Sequence, residues 1–286
     1  MTQPLRIGTR GSPLALAQAQ MVAAALREKA GVESEIVPIT TTGDMIQDRA
    51  LAELGGKALW TKELDRALGE GRTDLSVHSM KDVETIRPEA LVIAAMLERA
   101  DTRDRLIGAE SIDALPEGAR IGTASPRRTA QLRARRPDLD CAIIRGNVQT
   151  RLAKIEAGEF DATLLAAAGL DRLGLAIGVP LDLLPAPAQG AIGVEVLVER
   201  KDLAERLALI DHRPTHEAVS AERAFLAALG GTCHSAIAAL AEHGVLRGEI
   251  LSMDGREVHS DEGEPTALAR RLLDQASPAL RASFAS

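Results

Sequence analysis

The chain has 286 residues with a formal net charge of -7, and 45% of its residues are hydrophobic and 26% charged. This length predicts two or three domains, and the composition excludes disordered, collagen-like and low-complexity chains. Aromatic residues make up only 1%, which argues against aromatic platforms for sugars or single-stranded nucleic acid.

Short apolar runs alternate with amphipathic segments along the chain, a pattern typical of α/β folds. A first set predicts strand Leu5–Gly8, helix Pro13–Lys29, strand Glu35–Ile39, helix Thr61–Leu68, strand Asp74–Val77 and strand Leu91–Leu97. A second set predicts strand Arg120–Gly122, helix Pro126–Arg136, strand Cys141–Ile144, helix Val148–Ala157 and strand Ala162–Ala166.

The two sets resemble each other in sequence. Residues 6–13 are RIGTRGSP and residues 120–126 are RIGTASP, so in each set a strand and a Gly-Thr turn lead to a Ser-Pro pair. Ser12 and Ser125 suit the N-cap of a helix, and the proline after each suits the first helical position. Although Ser-Pro is a common helix start, we interpret the repeat as two similar α/β domains, each presenting a helix N-terminus to an anion.

The pattern changes near residue 180. The segment Leu181–Gly190 contains three prolines and predicts a linker. Strand Ala191–Val198 follows, and we expect it to return to the sheet of the first domain. A small α+β third domain is then predicted from helix Thr215–Leu229, a Gly-Gly turn, strands Ile237–Leu240 and Val245–Leu251, and helix Thr266–Leu273.

Positive charge is concentrated between Arg120 and Arg151. This segment contains eight arginines and two acids and carries +6, whereas the rest of the chain carries -13. A basic segment in an acidic protein favours a local anion site over a surface for polyanions. Arg127 and Arg128 lie in the first turn of a predicted helix, where cations oppose the helix dipole. Either an anionic ligand held by the guanidinium forks or a solvated surface pair would explain them.

The segment Val77–Asp82 follows a predicted strand and contains His78, Lys81 and Asp82. Asp82 could act as a general acid or base, or balance a cationic intermediate. Lys81 could bind an anion. A polar loop at the end of a strand is the more ordinary explanation of the same residues.

The segment Gly230–His234 places the thiol of Cys233 on a glycine turn, which suits a nucleophile or an attachment point. A buried inert cysteine is the more usual case. The Cys-His pair does not have metal-ligand spacing, so no metal is expected. The only other cysteine is Cys141, which excludes a disulfide framework. With no signal-peptide pattern and no apolar run of membrane-spanning length, we expect a cytoplasmic protein without membrane contact.

Ten segments together match a known family. They are RIGTRGSPLALAQAQ, TTTGD, GGKALWTKEL, DLSVHSMKDV, IGTASPRRTAQL, IIRGNVQTRL, LLAAAGLDRLGL, AQGAIGVE, AERAFL and GGTCHS. In their order and spacing the chain resembles the porphobilinogen deaminases, or hydroxymethylbilane synthases, from Arg6 to beyond Cys233. The resemblance implies a transferase of tetrapyrrole (haem) biosynthesis that joins four porphobilinogen molecules head to tail, releases ammonia and yields hydroxymethylbilane.

The resemblance also implies a three-domain fold. Two α/β domains like those of periplasmic binding proteins would comprise residues 1–97 plus 191–209 and residues 98–190. A small α+β domain, residues 210–286, would follow. The first domain would carry the catalytic aspartate, the second an arginine-rich cleft and the third the cofactor cysteine. The family precedent is a monomer.

The implied cofactor is a dipyrromethane, attached by a thioether to Cys233 and extended by the substrate. Asp82 would be the central catalytic residue and stabilise positive charge as ammonia leaves. Besides Cys233, the residues implied to bind the cofactor are Lys81, Asp82, Thr123, Ser125, Arg127, Arg128, Arg145 and Gly146. Those implied to bind substrate are Arg10, Ser12, Gln18, Lys57, Trp60, Asn147, Arg151 and Gln189. The cations among them would pair with the acetate and propionate of each pyrrole ring.

The chain departs from the family pattern at three positions. Ala124 replaces a common serine, Trp60 stands where phenylalanine is frequent, and Thr232 replaces a glycine found in some members. None of these changes removes a residue expected to carry catalysis or charge pairing.

Three other functions compete with this interpretation of the sequence. A module that only binds a carboxylated ligand would need neither Asp82 nor Cys233. A nucleic-acid-binding protein is disfavoured by the pI of about 5.5 and by the scarcity of aromatic residues. A cysteine hydrolase would need more than an adjacent histidine to activate Cys233.

Overall fold

The chain forms two compact units. The computed structural model describes residues 3–41, 58–231 and 235–284, with only the backbone of residues 58–60. One unit comprises Met1–Ala100 and Gly190–Glu217, and the other comprises Asp101–Gln189 and Ala218–Ser286. The three predicted domains, with boundaries after residues 97, 190 and 209, stay a prediction.

Strands and helices follow the α/β order expected from the sequence. The first part contains β1 (Leu5–Arg10), α1 (Pro13–Ala30), β2 (Ser34–Ile39), α2 (Ala58–Gly69), β3 (Leu75–Ser79), β4 (Leu91–Met96) and β5 (Asp104–Ile107). The middle part contains β6 (Arg120–Gly122), α3 (Pro126–Arg135), β7 (Asp140–Ala142), α4 (Val148–Glu156), β8 (Ala162–Ala166), α5 (Ala167–Arg172), β9 (Val179–Leu181) and β10 (Ile192–Leu197). The last part contains α6 (Lys201–Leu207), α7 (Arg213–Leu229), β11 (Ala236–Glu242), β12 (Val245–Leu251), β13 (Val258–Glu262), α8 (Pro265–Gln275) and α9 (Pro278–Ala282).

The first unit is built on a five-stranded sheet of order β2-β1-β3-β10-β4. β1 is parallel to β2 and β3, whereas β10 is antiparallel to both β3 and β4. The strand after the proline-rich segment therefore returns to the first sheet, as predicted. Helix α1 buries Val22 and Leu26 against a core that includes Ile7, Leu75 and Val194.

The second unit contains a sheet with the same arrangement, of order β7-β6-β8-β5-β9. β6 is parallel to β7 and β8, and β5 is antiparallel to β8 and β9. In both sheets the helix after the first strand begins at a capped Ser-Pro pair. Ser12 Oγ accepts from the backbone N–H of Ala15, and Ser125 Oγ accepts from that of Arg128. The predicted repeat of two α/β sheets is confirmed.

The repeat extends to the entry of the first strand in each sheet. The Asp74 carboxylate accepts from the backbone N–H of Arg6 at 2.9 Å, and Asp161 accepts from that of Arg120 at 2.6 Å. In each pair the aspartate N–H donates back to the arginine carbonyl. The same local contact thus fixes the register between the first and third parallel strands of both sheets.

The C-terminal part is a three-stranded antiparallel sheet, β11-β12-β13, covered by helices. Phe225 of α7 lies at its centre, with Leu246 and Ile250 of β12 and Leu272 of α8 in the same core. The predicted α/β fold class with a small α+β C-terminal part is confirmed. Among the described residues, no helix has both the length and the apolar character needed to cross a membrane.

Candidate functional site

One pocket in the first unit lies at the carboxyl ends of the parallel strands β1 and β3. Chain segments that leave neighbouring parallel strands meet at one edge of the sheet, which is where α/β sheets bind ligands. The pocket encloses about 440 Å³ of open space, including its mouth. Its lining consists of Arg10, Ser12, Leu14, Ala15, Gln18, Thr61, Val77, His78, Ser79, Asp82 and Val83. We call it the Asp82 pocket, because it brings together four of the predicted site residues.

A short 3₁₀ turn, Met80–Asp82, places Asp82 in this pocket directly after β3. Lys81, in the same turn, is half-buried. Beside the turn, the Gln18 amide Nε2 donates to Ser79 Oγ at 2.7 Å. The side chain of Gln18 is buried, so this hydrogen bond holds its amide against the end of β3. The sequence predicted Gln18 but not its partner Ser79.

Behind the pocket lies a buried carboxylate, Glu195 of β10, that the sequence did not predict. Its Oε2 hydrogen-bonds to His78 Nε2 at 3.0 Å, and its Oε1 accepts from Arg87 Nε at 2.8 Å. Burial opposes ionisation of Glu195, but hydrogen bonds and charge from His78 and Arg87 dominate and lower its pKa to about 2. Glu195 therefore remains an anion next to a histidine that lines the pocket.

A second group of predicted residues lies in the second unit, where β6 leads into α3. Thr123 Oγ1 accepts from the backbone N–H of Ser125 at 3.1 Å, and Ser125 caps the helix. The two hydroxyls thus order the turn that leads to Arg127 and Arg128.

Arg127 and Arg128 are both buried and both paired with one carboxylate. Arg127 Nη2 donates to Asp104 Oδ2 at 2.8 Å, and Arg128 Nη2 donates to Asp104 Oδ1 at 2.7 Å. Gln189 Nε2 donates to the same Oδ1 at 2.9 Å. We call these four residues the Asp104 cluster. The explanation of the two arginines as a solvated surface pair is wrong, because each side chain is less than a tenth exposed.

The electrostatics of the Asp104 cluster follow from one anion facing two cations. Burial opposes the charge on Asp104, but the two guanidinium groups outweigh it and hold its pKa well below the usual range. Burial lowers the pKa of Arg127 despite the attraction of Asp104. The Nε atoms of Arg127 and Arg128 are buried without a hydrogen-bond partner in the described part of the chain.

The predicted residues after β7 form a third feature, also in the second unit. Asn147 Oδ1 caps α4 by accepting from the Thr150 N–H at 2.9 Å. Arg151 Nε donates to the Gly146 carbonyl at 3.0 Å. Gly146 has φ +104°, and a Cβ there would lie 2.6 Å from Thr150 Cγ2, so the turn requires glycine. The Asn147 side chain is therefore engaged in capping α4.

Three of the predicted site residues cannot be located among the described side chains. Lys57 and Cys233 lie outside the described residues, and so does the side chain of Trp60. Among the residues that are described, no group of three or more His, Cys, Asp or Glu side chains could hold a metal ion.

The sequence missed Asp104, Glu195 and Arg87 for a common reason. Asp104 and Glu195 are separated from their cationic partners by 23 and 108 residues or more, so no local pattern marks them. One signal was present: two adjacent arginines in the first turn of a helix require a nearby anion if they are buried. It indicates that a carboxylate is needed without identifying which one.

Comparisons with known proteins agree with the sequence resemblance. A family model described as "Porphobilinogen deaminase, dipyromethane cofactor binding domain" matches residues 5–205. Another, "Porphobilinogen deaminase, C-terminal domain", matches residues 216–274. A curated relative from Sphingopyxis alaskensis named "Porphobilinogen deaminase" is 57% identical over 306 aligned positions, covering 99% of this chain and 97% of the relative.

Solved structures with similar folds are much more distant in sequence. A periplasmic substrate-binding protein of an ABC transporter from Coxiella burnetii is 13% identical, with a TM-score of 0.46 over 77% of this chain and 96% of the other. Immunogenic lipoprotein A from Vibrio vulnificus is 14% identical, with a TM-score of 0.46 over 77% and 99%. Similarities this weak carry no argument about function.

Proposed function

Because the chain belongs to the porphobilinogen deaminase family, we propose that its catalysis depends on Asp82 in the Asp82 pocket. The chain is a transferase that polymerises porphobilinogen into hydroxymethylbilane in tetrapyrrole biosynthesis, and its cofactor is a dipyrromethane. The observation that carries the assignment of Asp82 is its position at the carboxyl end of β3, in one pocket with Arg10, Ser12 and Gln18.

The chemistry of the pocket suits this role. Loss of ammonia from porphobilinogen develops positive charge on the pyrrole ring, and a fixed carboxylate stabilises such charge most effectively away from bulk water. Asp82 supplies that carboxylate, and Arg10 supplies a cation for an acetate or propionate side chain. The Gln18–Ser79 hydrogen bond keeps the pocket wall in place while substrate enters.

The Asp104 cluster fits the cofactor's carboxylates. It sets two guanidinium groups against one aspartate, and the Nε–H of each guanidinium lacks an acceptor in the described residues. We propose that Arg127 and Arg128, with Thr123, Ser125, Arg145, Gly146 and Lys81, hold the cofactor. The cofactor, attached at Cys233, supplies a nucleophilic pyrrole carbon as the primer of the chain.

Substrate side chains would be held by the remaining predicted residues. These are Arg10, Ser12, Gln18, Lys57, Trp60, Asn147, Arg151 and Gln189. Gln189 would act through the Asp104 cluster, because its amide donates to Asp104 and to the Thr102 carbonyl.

We propose that nucleic acid is not a partner. Of the eight arginines between Arg120 and Arg151, at least five already pair with aspartates. This pairing engages most of the guanidinium groups that a polyanion would have to contact. The three-domain division, a monomeric state and a cytoplasmic location are further proposals that rest on the family resemblance.

Turnover of an Asp82→Asn variant tests the assignment of Asp82. We expect the variant to fold and to retain the cofactor, with kcat reduced by about 100-fold or more, because removal of one preorganised charge-stabilising group costs that much. Asp202→Asn, at an exposed aspartate of the same unit, serves as the matched control and should keep normal turnover. A kcat of Asp82→Asn within threefold of wild type would contradict the proposal.

Intact mass spectrometry with peptide mapping tests the attachment site. We expect denatured protein to carry the added mass of two linked pyrrole units on the peptide containing Cys233. Apo-protein should gain this mass when incubated with porphobilinogen, and a Cys233→Ser variant should not. Added mass on the Cys141 peptide, or no added mass after incubation with porphobilinogen, would refute the attachment at Cys233.

A further inference from the structure

Arg87 joins three parts of the fold behind the Asp82 pocket. Its side chain is only 8% exposed. The guanidinium donates to Asp65 of α2 at 2.5 Å, to Glu84 at 2.6 Å and to Glu195 of β10 at 2.8 and 2.9 Å. We call Arg87 and its three carboxylate partners the Arg87 network.

Glu195 holds both ends of the segment that carries Asp82. Its carboxylate hydrogen-bonds to His78 at the start of the segment and to Arg87 at its end. Asp82 lies between these two anchors, as the last residue of the 3₁₀ turn. The position of the Asp82 carboxylate is therefore set by a segment that is fastened to β10 on both sides.

A further contact fastens the middle of the segment to α2. Thr61 Oγ1 donates to the Glu84 carboxylate at 2.8 Å, and Thr61 also lines the Asp82 pocket. On the other side, the turn packs directly on β10. A Cβ on Gly193 would lie 2.1 Å from Met80 Sδ, so there is no spare room beneath the turn.

The charges make Arg87 essential to this arrangement. Three carboxylates, Asp65, Glu84 and Glu195, converge on one guanidinium, and Glu195 also hydrogen-bonds to His78. Without Arg87 the carboxylates would repel one another in a largely buried space, and the segment between His78 and Glu84 would have to move to relieve the repulsion.

We infer that Arg87 is a positioning residue for the reaction, which holds the segment His78–Arg87 so that the Asp82 carboxylate faces the reacting pyrrole. This inference rests on the proposed role of Asp82. Arg87 itself is not part of the lining of the Asp82 pocket, which includes His78, Thr61 and Asp82. Its loss should therefore lower kcat and leave KM nearly unchanged.

The test is a double-mutant cycle between Arg87→Met and Asp82→Asn in the holoenzyme. We expect Arg87→Met to lower kcat by about 10- to 100-fold, since displacing a catalytic group by about 1 Å can cost that much, with KM within twofold of wild type. In the Asp82→Asn background the same change should alter kcat by less than about threefold, because Arg87 then has no carboxylate to position. Arg213→Met, at a highly exposed arginine of the same unit, is the control and should leave kcat unchanged.

The outcomes separate the two proposals. If Asp82→Asn has nearly normal turnover, the proposed function of Asp82 fails. If Asp82→Asn is impaired but Arg87→Met lowers kcat by the same factor in both backgrounds, Arg87 acts independently and the inference fails. Amide hydrogen exchange supplies a readout other than activity: Arg87→Met should speed exchange in the peptide 79–86 at least tenfold and leave the peptide 5–10 of β1 unchanged.

A milder variant covers the case in which Arg87→Met does not fold. Glu84→Gln keeps the contacts of Arg87 with Asp65 and Glu195 but weakens the anchor nearest to Asp82. We expect it to lower kcat at least threefold without changing KM, and to have no effect in the Asp82→Asn background. Normal kcat in Glu84→Gln together with unchanged exchange in the peptide 79–86 would overturn the inference.

Discussion

Replacing Asp104 with asparagine tests the buried charge balance behind Arg127 and Arg128. Asn has nearly the same size, so the substitution removes the charge without leaving a cavity. It also replaces one acceptor oxygen by an NH₂ group, which cannot accept a hydrogen bond. In the wild type, the Nη2 donors of Arg127 and Arg128 lie 2.8 and 2.7 Å from the Asp104 carboxylate. Two buried cations would then lose the aspartate that each of them contacts.

The expected loss is large because Asp104 is fully buried. Removing one partner of a buried ion pair typically costs about 3–5 kcal/mol, most of it from the uncompensated charge that remains. At roughly 2–4 °C per kcal/mol for a unit of this size, the melting temperature should fall by about 6–20 °C. Urea unfolding at pH 7, followed by circular dichroism, gives the change in unfolding free energy directly.

The matched control is Asp113→Asn. Asp113 pairs with Arg135 at 2.6 Å, which is as short a contact as those of Asp104, but both side chains are about half exposed. Exposed pairs contribute little to stability, so this variant should unfold almost as wild type does. An Asp104→Asn variant whose unfolding free energy lies within 1 kcal/mol of the control would refute the reasoning.

Two further predictions concern other buried contacts. The pKa of Glu195 is about 2 in the folded protein against an ordinary value of 4.5, so its ionised form stabilises the fold above pH 4.5, and this stabilisation is lost as the pH falls toward 2. Between pH 6 and pH 3, the unfolding free energy of the wild type should therefore fall by about 2 kcal/mol more than that of Glu195→Gln. Equal decreases of the two proteins, measured by urea unfolding, would contradict this prediction. Gly146→Ala should destabilise the fold by about 1–3 kcal/mol, because Gly146 has a positive φ and an added Cβ would clash with Thr150. Thermal unfolding measures this loss, and an unchanged melting temperature would contradict the prediction.

The parts of the fold that could be predicted are those with local signals. Helices α1 and α3 were located because a serine cap and a proline mark their starts, and both caps make the expected hydrogen bond. The strand β10 was expected in the first sheet because an apolar run follows a proline-rich segment.

The missed elements lack such signals. Strand β5 has the sequence DRLI, in which Asp104 is buried only because two distant arginines neutralise it. Strand β13, with the sequence VHSDE, pairs with β12 alone and is partly exposed, so its polar sequence resembles a loop. Helix α5 is only six residues long and follows β8 without a capping side chain. These elements depend on tertiary contacts that local propensity does not encode.

The residues of the candidate site also fall into those with a local sequence signal and those without one. Asp82 was predicted from a motif after a strand, Arg10 and Ser12 were implied by the family resemblance, and the structure brings all three into one pocket. The residues that hold the site in place, such as Arg87 and Asp104, were not predicted. Their importance comes from their burial and from the number of charges that meet there, and neither property is visible in a single sequence.

The position of β10 between β3 and β4 has a consequence for synthesis on the ribosome. Strand β4 ends at Met96 and β10 begins at Ile192, so at about 5–20 residues per second the first sheet waits roughly 5–20 s for the strand that completes it. All strands of the second sheet, β5 to β9, emerge during this interval. The sheet begun first is therefore completed after the second sheet, and its unpaired edges at β3 and β4 stay available for wrong pairing in the nascent chain until Leu197 has left the exit tunnel.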